Sequence, residues 1–230
     1  MLSLHFRVPI ARFLAPFVGW LARKGVSPDV VTFIGTVGVS AGALVFFTTG
    51  HFFVGTLVIT AFVFSDMLDG QIARATGRVS VWGAFWDSAL DRLGDAAIFG
   101  SLVIWYAGDG DSLPLAGAAL GALVGGSITS YVKARAESLG LSANVGFAER
   151  SERLLIVLVC AGFYGLGVPY LLPIALWFLV GATALTVVQR LVEVRKQAKL
   201  QAAGTVPPDP PADDSGRQPQ PVDPPSPARR

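Results

Sequence analysis

The chain of 230 residues is 52% apolar and only 15% charged, with a mean hydropathy of +0.56. This composition is typical of integral membrane proteins and argues against a water-soluble domain. One cysteine and two widely separated histidines exclude a disulfide framework and a zinc site built from Cys and His. A net charge of +2 gives no indication of nucleic-acid binding.

The chain begins with a segment, residues 1–26, that mixes large apolar side chains with arginine and lysine. We expect an amphipathic helix that lies in the membrane interface and bends near Pro9 or Pro16. A signal peptide is a weaker alternative, because Arg12 and the two prolines interrupt the apolar run that such a segment requires. The following Ser27-Pro28-Asp29 is a helix-start signal, with a cap, a first-turn proline and an acid near the positive end of the helix dipole.

Six apolar runs follow, each about long enough to cross a bilayer as a helix. They cover residues 30–50, 52–72, 83–107, 113–130, 154–172 and 173–191. Residues 27–200 are therefore predicted to form one all-α domain of six transmembrane helices. In the last thirty residues nine are proline, so residues 201–230 are predicted to form a disordered cytoplasmic tail.

Lysine and arginine are distributed unevenly between the connections. Residues 50–51, 108–112 and 162–170 contain neither. By the positive-inside rule, both termini and the connection between the second and third spans lie in the cytoplasm. The predicted location is therefore the plasma membrane, crossed several times.

Glycines recur four residues apart in two of the spans. They are Gly38 and Gly42 in the first span and Gly117, Gly121 and Gly125 in the fourth. This spacing predicts close packing between helices in lipid, without a chemical role.

Four aspartates flank the connection between the second and third spans. Asp66 and Asp69 are three residues apart, and Asp87 and Asp91 are four apart, so each pair lies on one helix face. Clustered carboxylates near a bilayer repel one another and lose hydration, which a divalent cation offsets. Oxygen-only ligands favour Mg²⁺, with Mn²⁺ as an alternative, and four carboxylates can hold two ions. Any single aspartate could instead be a cap, a salt-bridge partner or a hydrated loop residue.

Small and polar residues accompany these acids. Gly70, Ala73 and Gly83 leave room beside them. Arg74 and Ser80 are candidates to bind phosphate or ribose oxygens in that space.

The pattern D-x2-D-G-x2-A-R-x8-G-x3-D-x3-D runs from Asp66 to Asp91. It resembles the complete signature of the CDP-alcohol phosphotransferase family. Members of that family are six-helix membrane enzymes, usually homodimers, that transfer a phosphoalcohol unit from a cytidine diphosphate donor to an acceptor hydroxyl and release CMP. The resemblance implies the same fold, assembly and class of reaction here.

The resemblance also implies roles for individual residues. Asp66, Asp69 and Asp87 resemble metal ligands. Asp91 resembles the residue that both contacts the second metal and acts as general base. The implied contacts to CDP-diacylglycerol are Gly70, Arg74, Ser80 and, on a shorter motif at the start of the first span, Asp29, Val30, Val31 and Thr32.

Basic residues stand at the cytoplasmic ends of the last three spans. We expect Lys133, Arg153 and Arg190 to converge beside the carboxylates and form an anion site, with a hydroxyl from Ser130. Such a site suits a phosphorylated, water-soluble acceptor. The alternative, that these basic residues are ordinary positive-inside anchors, stays open for all three, and most of all for Arg190.

The segments SYVKARAE and GFAERSERLLIVL also resemble the bacterial branch of the family that uses inositol phosphate. This implies phosphatidyl transfer from CDP-diacylglycerol to 1D-myo-inositol 3-phosphate in phospholipid biosynthesis. One alternative uses glycerol 3-phosphate and makes phosphatidylglycerol phosphate, because similar segments occur in those relatives. An alternative of another class is a divalent-cation transporter, which the clustering of the acids at the cytoplasmic ends of two spans disfavours.

Overall fold

The computed structural model describes residues 27–63 and 80–203, and every regular element in these two ranges is helical. The helices, numbered α1 to α6, cover Pro28–Gly42, Phe52–Val63, Val81–Ala107, Leu113–Ser138, Arg150–Gly165 and Leu171–Ala202. A five-residue π-helical stretch, Ala43–Phe47, continues α1. The all-α prediction is therefore confirmed over the described ranges, whereas the amphipathic segment 1–26 and nearly all of the tail lie outside them.

Three of these helices are long and apolar enough to cross a membrane. They are α1 with its π-helical continuation (Pro28–Phe47), α4 and α6. The described part of α2 is a shorter apolar helix. These helices agree with the predicted membrane protein, and the count of six spans stays a prediction.

The boundary between the last two helices differs from the predicted one at residue 172. α5 ends at Gly165 and α6 begins at Leu171. Gly167 has a φ of 93°, and the amides of Gly167 and Val168 donate to the carbonyls of Tyr164 and Phe163. This is the hydrogen-bond pattern of a Schellman motif, which ends a helix through a left-handed glycine. Hydropathy does not reveal it, because the flanking residues are as apolar as the helices.

Glycines bring neighbouring helices together as the spacing predicts, with one exception. A Cβ added to Gly38 or Gly42 would meet Phe62 or Val58 of α2. One added to Gly121 or Gly125 would meet Val180 or Thr183 of α6, and these are the predicted close contacts. Gly117 is the exception, since a Cβ there would meet nothing within 4 Å.

The same contacts fix the helix directions. α1 and α2 are antiparallel, because Gly38 lies against Phe62 while Gly55 lies against Phe46. α4 and α6 are parallel, because Gly121 meets Val180 and Gly125 meets Thr183, so the residue numbers rise in the same direction along both helices. Polar contacts bring the starts of α1, α3 and α5 and the ends of α4 and α6 to one end of the bundle, which is where the described members of the predicted site lie.

Candidate active site

The first turn of α1 lies against the first turns of α3. The indole Nε1 of Trp86 donates to the backbone oxygen of Asp29 at 3.3 Å, and the rings of Phe33 and Trp86 stack with centroids 6.4 Å apart. A Cβ on Gly83 would lie 3.7 Å from Oδ1 of Asp29, so the missing side chain leaves room beside that carboxylate. Two separate segments predicted to contact the donor, 29–32 and Ser80, are thus neighbours.

The predicted donor residues differ in their exposure. Ser80 caps α3, its Oγ accepting a bond from Gly83 N at 2.9 Å, and such a hydroxyl still has its own hydrogen to donate. Thr32 is buried and donates to the Pro28 carbonyl at 3.1 Å. Asp29 and Val31 are half-buried, whereas Val30 is 48% exposed and turns away from the bundle.

Three aspartates lie one helical turn apart on one face of α3. Asp87 and Asp91 are half-buried, and Asp95 is only 4% exposed. Asp87 and Asp91 belong to the predicted site, whereas Asp95 is absent from it. The continued four-residue spacing after Asp91 was the available signal.

Two arginines from the start of α5 bind this face of α3. Arg150 lies with Nη1 2.6 Å from Oδ1 of Asp91 and with Nε 3.2 Å from Oδ1 of Asp95. Arg153 donates from Nη2 to Oδ2 of Asp95 at 3.1 Å. Charge-assisted bonds of this kind are stronger than neutral ones, so they join α3 and α5 beside the predicted base. Arg150, like Asp95, is absent from the site predicted from the sequence.

Arg153 is enclosed on several sides. It is 1% exposed, and its Nη1 donates to the Ala148 carbonyl at 2.9 Å. Gly126 of α4 lies beneath its guanidinium, where an added Cβ would lie 2.8 Å from Nε. Only glycine leaves this space at residue 126, so the position of Arg153 depends on α3, α4 and the connection before α5.

The predicted hydroxyl of the anion site, Ser130, lies one turn beyond Gly126. Its Oγ donates to the Gly126 carbonyl at 3.1 Å and accepts a bond from Nη1 of Arg92 at 2.5 Å. Arg92 also lies 3.7 Å from Oδ2 of Asp95. Lys133 is half-buried. It follows Ser130 by three residues, so both side chains lie on the same side of α4.

Arg190 joins α6 to the other elements of this end. It is 2% exposed, and it donates to the carbonyls of Thr129 at 2.8 Å and Val145 at 3.0 Å. Its Nη2 lies 3.7 Å from a carboxylate oxygen of Glu149. Arg190 is thus buried and bonded to α4 and to the connection before α5, unlike an anchor that faces solvent. Its contact with an acceptor phosphate stays a prediction.

Only two of the four aspartates predicted to bind metal, Asp87 and Asp91, lie in the part of the chain that the structure describes. Asp66, Asp69, Gly70 and Arg74 lie outside the described residues, so the four-aspartate cluster stays a prediction. Within the described ranges, no three Asp, Glu, His or Cys residues form a group that could hold a metal. Asp87 and Asp91 nevertheless offer oxygen ligands one turn apart, which is the donor chemistry that Mg²⁺ and Mn²⁺ prefer.

A helical membrane fold with clustered carboxylates and arginines at one end defines a class of enzyme. The chain belongs to the CDP-alcohol phosphatidyltransferase family, whose sequence profile matches residues 25–188. It is similar to enzymes named phosphatidylinositol phosphate synthase. The one from Streptomyces avermitilis is 51% identical over 212 residues, or 89% of this chain and 87% of the relative. The one from Cutibacterium acnes is 48% identical over 200 residues, or 84% and 97%.

Solved structures extend this similarity to the fold. The crystal structure of Mycobacterium tuberculosis phosphatidylinositol phosphate synthase with CDP-DAG bound has a TM-score of 0.77 at 43% identity, covering 80% of this chain and 94% of that one. The structure of the same enzyme with manganese and citrate has a TM-score of 0.74 at 43% identity, covering 78% and 88%. The predicted family is confirmed, and so is the prediction of a phosphatidyltransferase that depends on CDP-diacylglycerol.

Proposed function

We propose that this chain transfers the phosphatidyl group of CDP-diacylglycerol to 1D-myo-inositol 3-phosphate and releases CMP. The observation that carries the acceptor assignment is a cluster of guanidinium groups beside Asp91. Among the described residues, Arg92, Arg150 and Arg153 each lie within ion-pair distance of Asp91 or Asp95. Guanidinium groups match the charge and geometry of a phosphate. The names of the similar enzymes support the same acceptor.

The donor binds where α1 and α3 begin. In this proposal Asp29, Val30, Val31, Thr32 and Ser80, together with Gly70 and Arg74, contact the cytidine diphosphate. The close approach of Asp29 to the start of α3 supports one shared pocket for the described members of this set. The diacylglycerol chains then extend into the bilayer.

Asp66, Asp69, Asp87 and Asp91 would hold two Mg²⁺ ions, which Mn²⁺ could replace. When bound, these ions offset negative charge on the diphosphate of the donor. The manganese in the related Mycobacterium tuberculosis structure supports a divalent ion. The carboxylate-only donor set on α3 agrees with it.

Asp91 is the general base of the proposed reaction. It takes the proton of the acceptor hydroxyl while that oxygen forms a bond to the β-phosphorus of the donor. The bond between the β-phosphorus and the bridging oxygen breaks, and the electron pair leaves with CMP. Arg150, whose Nη1 lies 2.6 Å from Asp91, fixes the orientation of this carboxylate.

The acceptor phosphate binds next to the base. In this proposal Lys133, Arg153 and Arg190 supply the cations and Ser130 the hydroxyl. Arg153 has five N–H donors, and its bonds to Asp95 and to Ala148 account for two of them. The burial of Arg153 and Arg190 strengthens their attraction for an anion, because water screens buried charges less.

The deciding experiment measures CMP release from CDP-diacylglycerol with each of two acceptors. We expect turnover with 1D-myo-inositol 3-phosphate and little with glycerol 3-phosphate. Arg153→Gln should weaken acceptor use by at least about tenfold, since it removes charge-assisted hydrogen bonds. Arg195→Gln is the matched control, because Arg195 is exposed near the end of α6. Preferred use of glycerol 3-phosphate by the unmodified enzyme would instead support the phosphatidylglycerol phosphate alternative.

Two further features belong to this proposal. Both termini and the active site lie in the cytoplasm, since the arginines of the site share the end of the bundle at which α6 carries Arg195, Lys196 and Lys199. The enzyme is a homodimer in the plasma membrane, as in the family that its signature resembles.

A further inference from the structure

Asp95 occupies the centre of the ionic network although it lies one turn beyond the last aspartate of the signature. Both of its oxygens are used: Oδ1 lies 3.2 Å from Arg150 Nε, and Oδ2 lies 3.1 Å from Arg153 Nη2. A third cation, Arg92, lies 3.7 Å from Oδ2. A buried carboxylate is costly unless it is paired in this way, so the network constrains the orientation of each arginine.

The network runs from the proposed base to the proposed acceptor site. Arg150 contacts Asp91 and Asp95, and Asp95 in turn holds Arg153. Gly126 on one side and the Ala148 carbonyl on another leave Arg153 little room to move. Asp95 is therefore the carboxylate that links the proposed base, through Arg150, to the buried Arg153.

We propose that Asp95 is a positioning residue that orients Arg150 and Arg153 and thereby sets how the acceptor phosphate is held relative to Asp91. This inference rests on the proposed function, because it assigns the acceptor phosphate to Arg153. Among the residues that the structure describes, Asp95 bonds to arginines and to no predicted donor residue. We therefore expect its replacement to weaken acceptor binding far more than donor binding. A purely structural ion pair between α3 and α5 would lack this selectivity.

The test compares the KM values for the two substrates in Asp95→Asn. The asparagine retains one acceptor oxygen and presents an amide NH₂ group to the second arginine, so one of the two arginines is released. We expect the KM for 1D-myo-inositol 3-phosphate to rise at least about tenfold, because a charge-assisted hydrogen bond is lost, and the KM for CDP-diacylglycerol to stay within about twofold. Asp109→Asn is the control, since Asp109 is exposed at the opposite end of the bundle.

A double-mutant cycle separates the positioning role from a structural one. If Asp95 acts through Arg153, Asp95→Asn should raise the acceptor KM much less in an Arg153→Gln background than in the unmodified enzyme. An additive effect, or an equal rise in both KM values, would overturn the positioning role. An unchanged acceptor KM in Arg153→Gln alone would instead overturn the acceptor site of the proposed function.

A second variant covers the case in which Asp95→Asn does not fold. Asp95→Glu keeps the negative charge but is longer by one methylene, so it displaces both guanidinium groups. We expect a folded enzyme with a raised acceptor KM and an unchanged donor KM. Two KM values equal to those of the unmodified enzyme in this variant would contradict the inference.

Discussion

At the scale of single residues, Asp91 has surroundings that suit a base close to a bound phosphate. Its carboxylate is half-buried and lies 2.6 Å from Arg150 Nη1. Asp95 lies one turn further along α3, and its Oδ1 is 3.2 Å from Nε of the same arginine. Arg150 therefore connects Asp91, the proposed base, to Asp95, the proposed positioning residue.

The role of Asp91 gives the first residue-scale prediction. Asp91→Asn keeps the size of the side chain but removes most of its basicity, so we expect CMP release to fall by about 10²-fold or more. CDP-diacylglycerol should still bind, as measured by its protection of the purified enzyme against thermal unfolding. Asp109→Asn should behave as the unmodified enzyme in both measurements. Near-normal turnover of Asp91→Asn would exclude Asp91 as the base.

At the scale of elements, glycines decide where a helix can approach a charged side chain. Gly126 of α4 lies beneath Arg153 of α5, whereas Gly117 of the same helix has open space at its Cβ position. Both are interior positions of one helix, so alanine has the same intrinsic helix preference at each. The difference between the two sites therefore lies in packing.

This pair gives a matched prediction. In Gly126→Ala the new methyl group would lie 2.8 Å from Arg153 Nε. We expect it to displace the arginine, to destabilise the protein by about 1–3 kcal/mol through overpacking, and to raise the acceptor KM. Gly117→Ala should leave the KM values unchanged and raise the melting temperature slightly, because alanine favours the helix. Thermal unfolding in detergent and CMP release measure both effects. Equal behaviour of the two variants would show that Arg153 is not held against α4.

At the scale of the whole molecule, the parallel pair α4 and α6 and the starts of α1, α3 and α5 place one site at one end of the bundle. No single helix could do this, because Arg190, Ser130 and Arg150 come from three different elements. The opposite end is built from short connections, such as the turn at Gly167, and contains no lysine or arginine in residues 108–112 or 166–170.

The proposed orientation predicts which end of the bundle an external reagent can reach. In a Cys160→Ser background, which removes the single cysteine of the chain, Asp109→Cys should react with a membrane-impermeant maleimide in intact cells. Ser142→Cys should react only after the cells are permeabilised, because the exposed Ser142 precedes α5 at the site end. The reverse pattern would place the site outside the cell.

The sequence by itself determined the class of this protein and the spacing of its main carboxylates. Hydropathy and the positions of lysine and arginine are local properties, and so is the pairing of Asp87 with Asp91 on one helix face. The same four-residue spacing includes Asp95, but spacing alone does not show that its carboxylate is buried and paired with arginines. The turn at Gly167 likewise could not be predicted from hydropathy, because this left-handed glycine lies between apolar residues that are typical of a transmembrane helix.

Only the tertiary structure decided which charges meet. Asp95 is 55 residues from Arg150 and 58 from Arg153, and Arg190 is 61 from Thr129. Contacts over such separations depend on how the helices pack. Packing here depends in part on glycines such as Gly126, which has no side chain and so leaves space for Arg153. A buried arginine and an exposed membrane anchor look alike in a sequence, since the difference between them is the partner that the fold brings to each.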